Sequence, residues 1–146
     1  MAEQVLILSG SRSDAEIVKK AAAVLDEFGV EWKAEVASAH RNPEKVVKLV
    51  KSSFADVIVA VAGLSAALPG VVAAHTMVPV IGVPVSAKLG GMDSLLSIAQ
   101  MPPGVPVAAV GIDNGKNAAL LAVQILALKD KGLEKKLVKY REKMKR

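Results

Sequence analysis

Two short segments of this chain concentrate side chains that bind anions and move protons: Ser9-Gly10-Ser11-Arg12-Ser13-Asp14 and Ser38-Ala39-His40-Arg41-Asn42-Pro43. In the first, Gly10 lets the backbone turn tightly, the serine hydroxyls supply donors, and Asp14 can accept from ribose hydroxyls. A helix that begins just after such a turn presents unpaired N–H groups and a partial positive charge, which suits phosphate. The loop is neither a Walker A motif nor G-x-G-x-x-G, so nothing in it points to ATP or NAD. The same composition also arises where Ser13 or Asp14 does no more than cap the helix. In the second segment, the His40 imidazole can accept and donate protons at neutral pH. Arg41 beside it offers a planar fork for phosphate or carboxylate, and Pro43 holds Asn42 extended and fixes the turn. A lone histidine in a loop is also a common surface residue, so the placement of the turn decides its reading. His75 follows Ala73-Ala74 in an apolar stretch and reads as a helix-end histidine with a local hydrogen-bond partner.

The elements that must carry these turns are legible from periodicity. Val5–Leu8 is a short apolar strand that ends at the first polar segment. Ile17, Val18, Ala21, Val24, Leu25 and Phe28 recur at helical spacing from Ala15 to Phe28, and Gly29 stops that helix. Strands are expected at Trp32–Ser38, Ala55–Ala62, Pro79–Val85 and Val105–Val110. Helices are expected from Pro43, with Val46, Val47, Leu49 and Val50 inward, and at Ala66–Met77, Asp93–Gln100, Asn114–Leu128 and Lys135–Lys145. Strands alternating with helices through short connections predict an α/β fold, a flavodoxin-like, doubly wound parallel sheet in a three-layer sandwich. Ligands in such folds bind beyond the carboxyl ends of the strands. Ser9–Asp14, Ser38–Asn42 and the turn Gly63-Leu64-Ser65 all fall there.

Composition narrows the field further. The 146 residues suit one domain, 1–146, with 128–146 as a C-terminal helical extension. Apolar residues make up 52% but aromatics only 3%, so Val, Ile, Leu and Ala must fill the core. With no cysteine there is no disulfide, thiolate zinc site or cysteine nucleophile, and two histidines are too few for a His-rich metal centre. No run of 18 apolar residues is present, so no membrane span is expected. Met1-Ala2-Glu3-Gln4 carries no basic leader, and a cytoplasmic location is expected. Lys129–Arg146 holds nine Lys/Arg against three Asp/Glu, a net of +6 out of +5 for the chain, which leaves −1 for the other 128 residues. With Tyr140 its single aromatic, that segment reads as a solvated or subunit-facing helix and not as a nucleic-acid surface.

The motifs taken together resemble the PurE family of purine biosynthesis. Gly10-Ser11-Arg12-Ser13-Asp14 is similar to that family's G-S-x-S-D, and Ser38-Ala39-His40-Arg41-Asn42-Pro43 to its S-A-H-R-T-P. Ala62-Gly63 with Leu68-Pro69-Gly70, Val78–Val85, Gly91–Pro102 and Asn117–Ala122 resemble its AG…LPG, PV-x-GVPV, G-x-DSLLS-x-x-QMP and NAALLA. The six motifs fall in order over residues 5 to 128. Two positions depart from the pattern. Ala67 stands where the usual third loop carries a histidine, and Asn42 stands where threonine is usual. His75 is eight residues further on, about 12 Å along a helix, and is not that histidine displaced.

The resemblance implies an enzyme without metal, ATP or biotin, assembled as a homo-octamer with active sites between subunits and the C-terminal helix packed on a neighbour. Class I members convert N5-carboxyaminoimidazole ribonucleotide to 4-carboxyaminoimidazole ribonucleotide. Class II members carboxylate aminoimidazole ribonucleotide with CO2. The resemblance makes His40 the proton-transfer residue. Ser11, Asp14 and Arg41 are then expected on the nucleotide, with Arg41 and the loop serines Ser9, Ser11, Ser13 and Ser38 at its phosphate. Gly10, the backbone around Gly63, and Ser65 are expected to line the pocket. Arg41 and Gln100-Met101-Pro102 favour class I, whereas Ala62-Gly63 with Ser65 is also like the class II loop. A nucleotide-binding or structural octamer of low activity is the third reading.

Overall fold

The computed structural model describes residues 2–146; Met1, where the reading of the leader begins, lies outside them. Five strands, β1 (Val5–Ser9), β2 (Trp32–Val36), β3 (Val57–Gly63), β4 (Val80–Val85) and β5 (Ala108–Ala109), alternate with helices. The helices are α1 (Ala15–Phe28), α2 (Pro43–Ser52), α3 (Leu68–Ala73), α4 (Met92–Ala99), α5 (Gly115–Ala127) and α6 (Lys131–Met144). All strand pairs are parallel and the order is β2-β1-β3-β4-β5. This is the flavodoxin-like three-layer sandwich expected from the alternation. Among the described residues no helix is long and apolar enough to cross a membrane.

The layers follow from the two-residue period of a strand. Val5, Ile7, Val57, Val59, Val61, Ile81 and Val83 face α1, α5 and Leu133 of α6. Leu6, Leu8, Ile58, Ala60 and Ala62 face the opposite layer, where α2 contributes Val46 and Val50, α3 Leu68 and Val72, and α4 Ile98. Each central strand is therefore apolar on both faces, and β1 is buried along its whole length. Burying side chains of this size contributes about 1.5–3 kcal/mol apiece. The core accordingly fixes the register that aligns the loops at one edge.

Several boundaries differ from the periodicity. The fifth strand shrinks to Ala108–Ala109, because the segment before it is broken by Pro102, Pro103, Gly104 and Pro106, and proline cannot donate to a ladder. The helix expected over Ala66–Met77 runs only from Leu68 to Ala73; His75 N–H donates to Val72 O (3.0 Å) in a tighter closing turn. The last helix starts four residues early, at Lys131, because Asp130 Oδ1 accepts from Gly132 and Leu133 N–H (2.8 and 3.1 Å) and caps it.

After Asn117 the helix α5 is apolar at nearly every position. Here α1 covers one side and α6 another. Lys136 Nζ donates to Phe28 O (2.7 Å) at the C-terminus of α1, and the rings of Phe28 and Tyr140 sit 5.6 Å apart. Leu120, Leu121 and Ile125 remain half-buried, and Val138 and Met144 of α6 are exposed.

The start of α5 is wedged against α1. A Cβ on Gly115 would lie 2.5 Å from Ile17 O and 3.0 Å from Ile17 Cγ2. Gly115→Ala is expected to destabilise the fold by about 1–3 kcal/mol, read as a lower urea midpoint at unchanged slope. An unchanged midpoint would mean that the contact between α1 and α5 is slack.

Candidate active site

Strand order reverses at β1, whose neighbours β2 and β3 lie on opposite sides. Crossovers leave in opposite directions at such a point and a crevice opens beyond the carboxyl ends. The chain has a cleft of about 520 Å³ there, and every sequence-predicted site residue except Ser9 lines it. Ser9 is buried at the end of β1. Its carbonyl accepts from Ala37 N–H (2.9 Å), and the residue borders a separate groove of about 780 Å³ between α1 and β2. The expected role for Ser9 at the phosphate therefore has no access from the cleft side.

The first wall is the loop after β1. Gly10 N–H donates to Val61 O (3.0 Å), which ties the loop to β3. Ser11 Oγ accepts from Ser13 N–H (3.3 Å) and lies 2.9 Å from Ser13 Oγ, capping the 3-10 turn Arg12–Asp14. The capping alternative thus falls to Ser11, and Asp14 makes no side-chain cap bond. Asp14 is only 6% exposed yet borders the cleft. Burial pushes its carboxyl above the usual carboxylate range. A hydrogen bond from the Ser11 backbone pulls the other way, and the charge of Asp113 adds to the rise.

The second wall is the turn after β2. Ser38 Oγ accepts from Arg41 N–H (3.1 Å), and Ser38 O accepts from Asn42 N–H (2.9 Å). Asn42 Oδ1 accepts from Lys45 N–H (3.2 Å), and Pro43 takes the first helical position of α2. Asparagine at 42 is therefore a helix cap, a task threonine also performs. Among the described residues, the exposed side chains of His40 and Arg41 make no hydrogen bond within the chain, so both are free for a ligand. A side lobe of about 380 Å³ adjoins this wall, bordered by Arg12, Arg41 and Lys45 with Ser11 and Ser38. Lys45 Nζ donates to Val36 O (2.7 Å). Three cations around one lobe attract a phosphate dianion.

The third wall follows β3. Gly63 allows close approach to β4, since a Cβ there would lie 3.2 Å from Val85 Cβ. Leu64 adopts a left-handed conformation, φ 55°, uncommon for a bulky residue, and Ala66 N–H donates to Leu64 O (2.8 Å). Ala67 lines the cleft without a polar atom. His75 lies outside it, exposed, with Nδ1 2.8 Å from Val71 O, the local partner expected of it. One imidazole therefore serves the cleft. Arg12, Lys45, Leu64 and the fourth wall, Val85-Ser86-Ala87, were not singled out in the sequence. The carboxyl-end rule applied to β4 would have found the last of these.

The AIR carboxylase family model matches residues 4–146. The N5-carboxyaminoimidazole ribonucleotide mutase of Methanocaldococcus jannaschii is 62% identical over 142 residues, covering 97% of this chain and 90% of that one. The mutase of the same name from Thermotoga maritima is 48% identical, covering 98% of this chain and 84% of that one. Crystal structures of Treponema denticola PurE and of a variant of its PurE2 superpose with TM-scores of 0.83 and 0.88, at 33% and 34% identity. They cover 95% and 98% of this chain, and 89% and 91% of their own.

The raised Asp14 carboxyl has a cost in stability. Its folded pKa lies above its unfolded value, so between the two the folded chain binds more protons. Stability from this group is present below the unfolded value, about 3.9, and is lost as pH rises through the folded one. Asp14→Asn is expected to raise the Tm of the ligand-free protein at pH 7 relative to wild type, with the gap closing toward pH 4. A gap that is absent at pH 7, or that widens on acidification, would contradict this.

Proposed function

The chain belongs to the AIR carboxylase family, and from that premise we infer that it is an isomerase of purine biosynthesis, converting N5-carboxyaminoimidazole ribonucleotide to 4-carboxyaminoimidazole ribonucleotide. The observation that carries the reading is one cleft at the β1–β3 reversal that gathers the SGSRSD and SAHRNP turns, in a chain 62% identical to a mutase.

The chemistry exchanges two groups. The carbamate C–N bond breaks, CO2 departs, and the exocyclic nitrogen gains a proton. The electron-rich ring carbon then attacks CO2, and the tetrahedral carbon loses its proton to restore aromaticity. One proton arrives at nitrogen and one leaves carbon. A single imidazole that gives in the first half and takes in the second is thus regenerated each turnover. This matches a cleft in which His40 stands alone and Ala67 replaces the second imidazole. CO2 must stay beside the ring, where proximity raises its effective concentration. Arg41, with Arg12 and Lys45 beside it, suits the phosphate. Ser11, Ser13, Ser38, Gly10 and Asp14 hold the rest of the nucleotide, and Gly63 and Ser65 line the reaction pocket. No cofactor enters this sequence of steps. A phosphorylated substrate that does not cross membranes unaided suits the cytoplasmic location proposed for the enzyme.

The assembly proposed is a homo-octamer. Leu89, Met92 and Leu96 form an exposed apolar stripe leading into α4, and the outward face of α6 carries Val138 and Met144. A neighbouring subunit would cover such surfaces. Light scattering is expected to give a species larger than a dimer at micromolar concentration, and a stable monomer would overturn the assignment.

His40→Asn is expected to lower turnover by at least about 10² while nucleotide binding survives, the usual range for a general acid–base group; near-normal turnover removes His40 from the chemistry. Arg41→Lys keeps the charge and loses the fork. It is expected to weaken binding of the nucleotide far more than of its phosphate-free riboside, and equal losses would take Arg41 off the phosphate. Turnover of aminoimidazole ribonucleotide that depends on added bicarbonate would assign the direct carboxylase instead. No turnover with either substrate would leave a binding scaffold.

A further inference from the structure

The outer edge of β4 is only partly covered. Its neighbour β5 pairs through Ala108 and Ala109 with Ile81 and Gly82 alone. Alternate residues of β4 and the loop beyond, at 82, 84 and 86, turn main-chain groups toward that edge. Gly82 O is met by Val110 N–H (3.2 Å). Past that point no strand remains, yet the groups are not orphaned. Asp113 N–H donates to Pro84 O (2.8 Å), and Asp113 Oδ1 accepts from Ser86 N–H (2.9 Å). One residue thus supplies a donor and an acceptor where a longer β5 would have supplied them.

Asp113 can do so because of its backbone. Its φ is 60°, a left-handed conformation that Asp and Asn tolerate better than other side chains. The segment around it is braced from behind. Asn114 N–H donates to Gly111 O (3.1 Å), Asn114 Oδ1 accepts from Asn117 N–H (3.0 Å) at the start of α5, and Gly115 is wedged on Ile17 of α1. Ser94 Oγ, fully buried, lies 2.8 Å from Val85 O and holds the intervening residue. Val85, Ser86 and Ala87 form the cleft wall farthest along the sheet from the turn that carries His40.

We propose that Asp113 is a positioning residue of the active site: it substitutes for the missing end of β5 and fixes the Ser86–Ala87 wall that sets the width of the cleft. It touches neither the reacting atoms nor the phosphate lobe, and its effect reaches substrate through the wall. Its charge also adds to the rise of the Asp14 carboxyl above its ordinary value. The inference rests on the mutase reading for its kinetic consequence, but the clamp on Ser86 can be read without turnover.

Two substitutions separate the acceptor from the rest. Asp113→Gly suits φ 60° and removes the acceptor, so it loosens the wall without straining the fold. Asp113→Asn keeps an oxygen acceptor and tolerates the same φ, but carries no charge. In the assembled enzyme, Asp113→Gly is expected to speed hydrogen exchange of the Ser86 amide and to raise KM for N5-carboxyaminoimidazole ribonucleotide about threefold to tenfold, the scale of one hydrogen bond. Its kcat should stay within about twofold, because a wall acts on ground and transition states alike. Asp113→Asn is expected to return both the exchange rate and KM to within about twofold of wild type. Wild-type KM and Ser86 exchange in Asp113→Gly would overturn the proposal. Equal impairment of the two variants would also overturn it, by making the charge, and not the acceptor, responsible. A wild-type enzyme inert toward this substrate would instead sink the mutase reading, and Ser86 exchange in the two variants would still decide the clamp.

Discussion

The parallel pairing of β1 with both β2 and β3 is the interaction on which the site depends. In-register pairing of Val5–Ser9 with Trp32–Val36 on one side and Val57–Val61 on the other brings three strand ends to one level. The loops that follow must leave from the same edge. The register is secured by burial: a one-residue slip of β1 would exchange Val5 and Ile7 with Leu6 and Leu8 between two differently shaped layers. Precision in the cleft is therefore inherited from packing in the core.

Against that rigid base, the cleft gathers features that oppose stability. Asp14 is a buried carboxyl held above its ordinary pKa. Leu64, one of the non-glycine residues with positive φ among those described, lines it, and Asp113, another, braces the Ser86 wall from behind. Left-handed conformations of this kind cost about 1–3 kcal/mol each and persist only where the surroundings over-determine them. Here the surroundings are β3, β4 and the α1–α5 contact at Gly115. Among the described residues, the side chains of His40 and Arg41 have no hydrogen-bond partner and face the same cleft.

The two departures from the family pattern have different weights. Asn42 is neutral, because its side chain caps α2 as a threonine would. Ala67 is substantive, because it sits in the cleft where a second imidazole is usual, and His75 is turned outward on Val71 O. An exchange that moves one proton to nitrogen and one from carbon can be run by one base returned to its starting state, so the loss is compatible with the mutase reaction.

Local pattern in the chain was enough for the alternation of strands and helices, for the exact span of α1 with its glycine stop, and for the turns that carry His40, Arg41 and Asp14. These features are written in neighbouring residues: periodicity over a few turns, a proline, a glycine, a cap. The tertiary structure decided what depends on partners far apart in sequence. Nothing near Asp113 signals Ser86, 27 residues away, and nothing near Lys136 signals the Phe28 carbonyl, 108 residues away. The burial of Ser9 away from the cleft was settled in the same manner. Hydrogen-bonding groups at a strand edge or a helix end must be met by whatever the fold brings to them, and what the fold brings is a property of the whole packing and not of the segment.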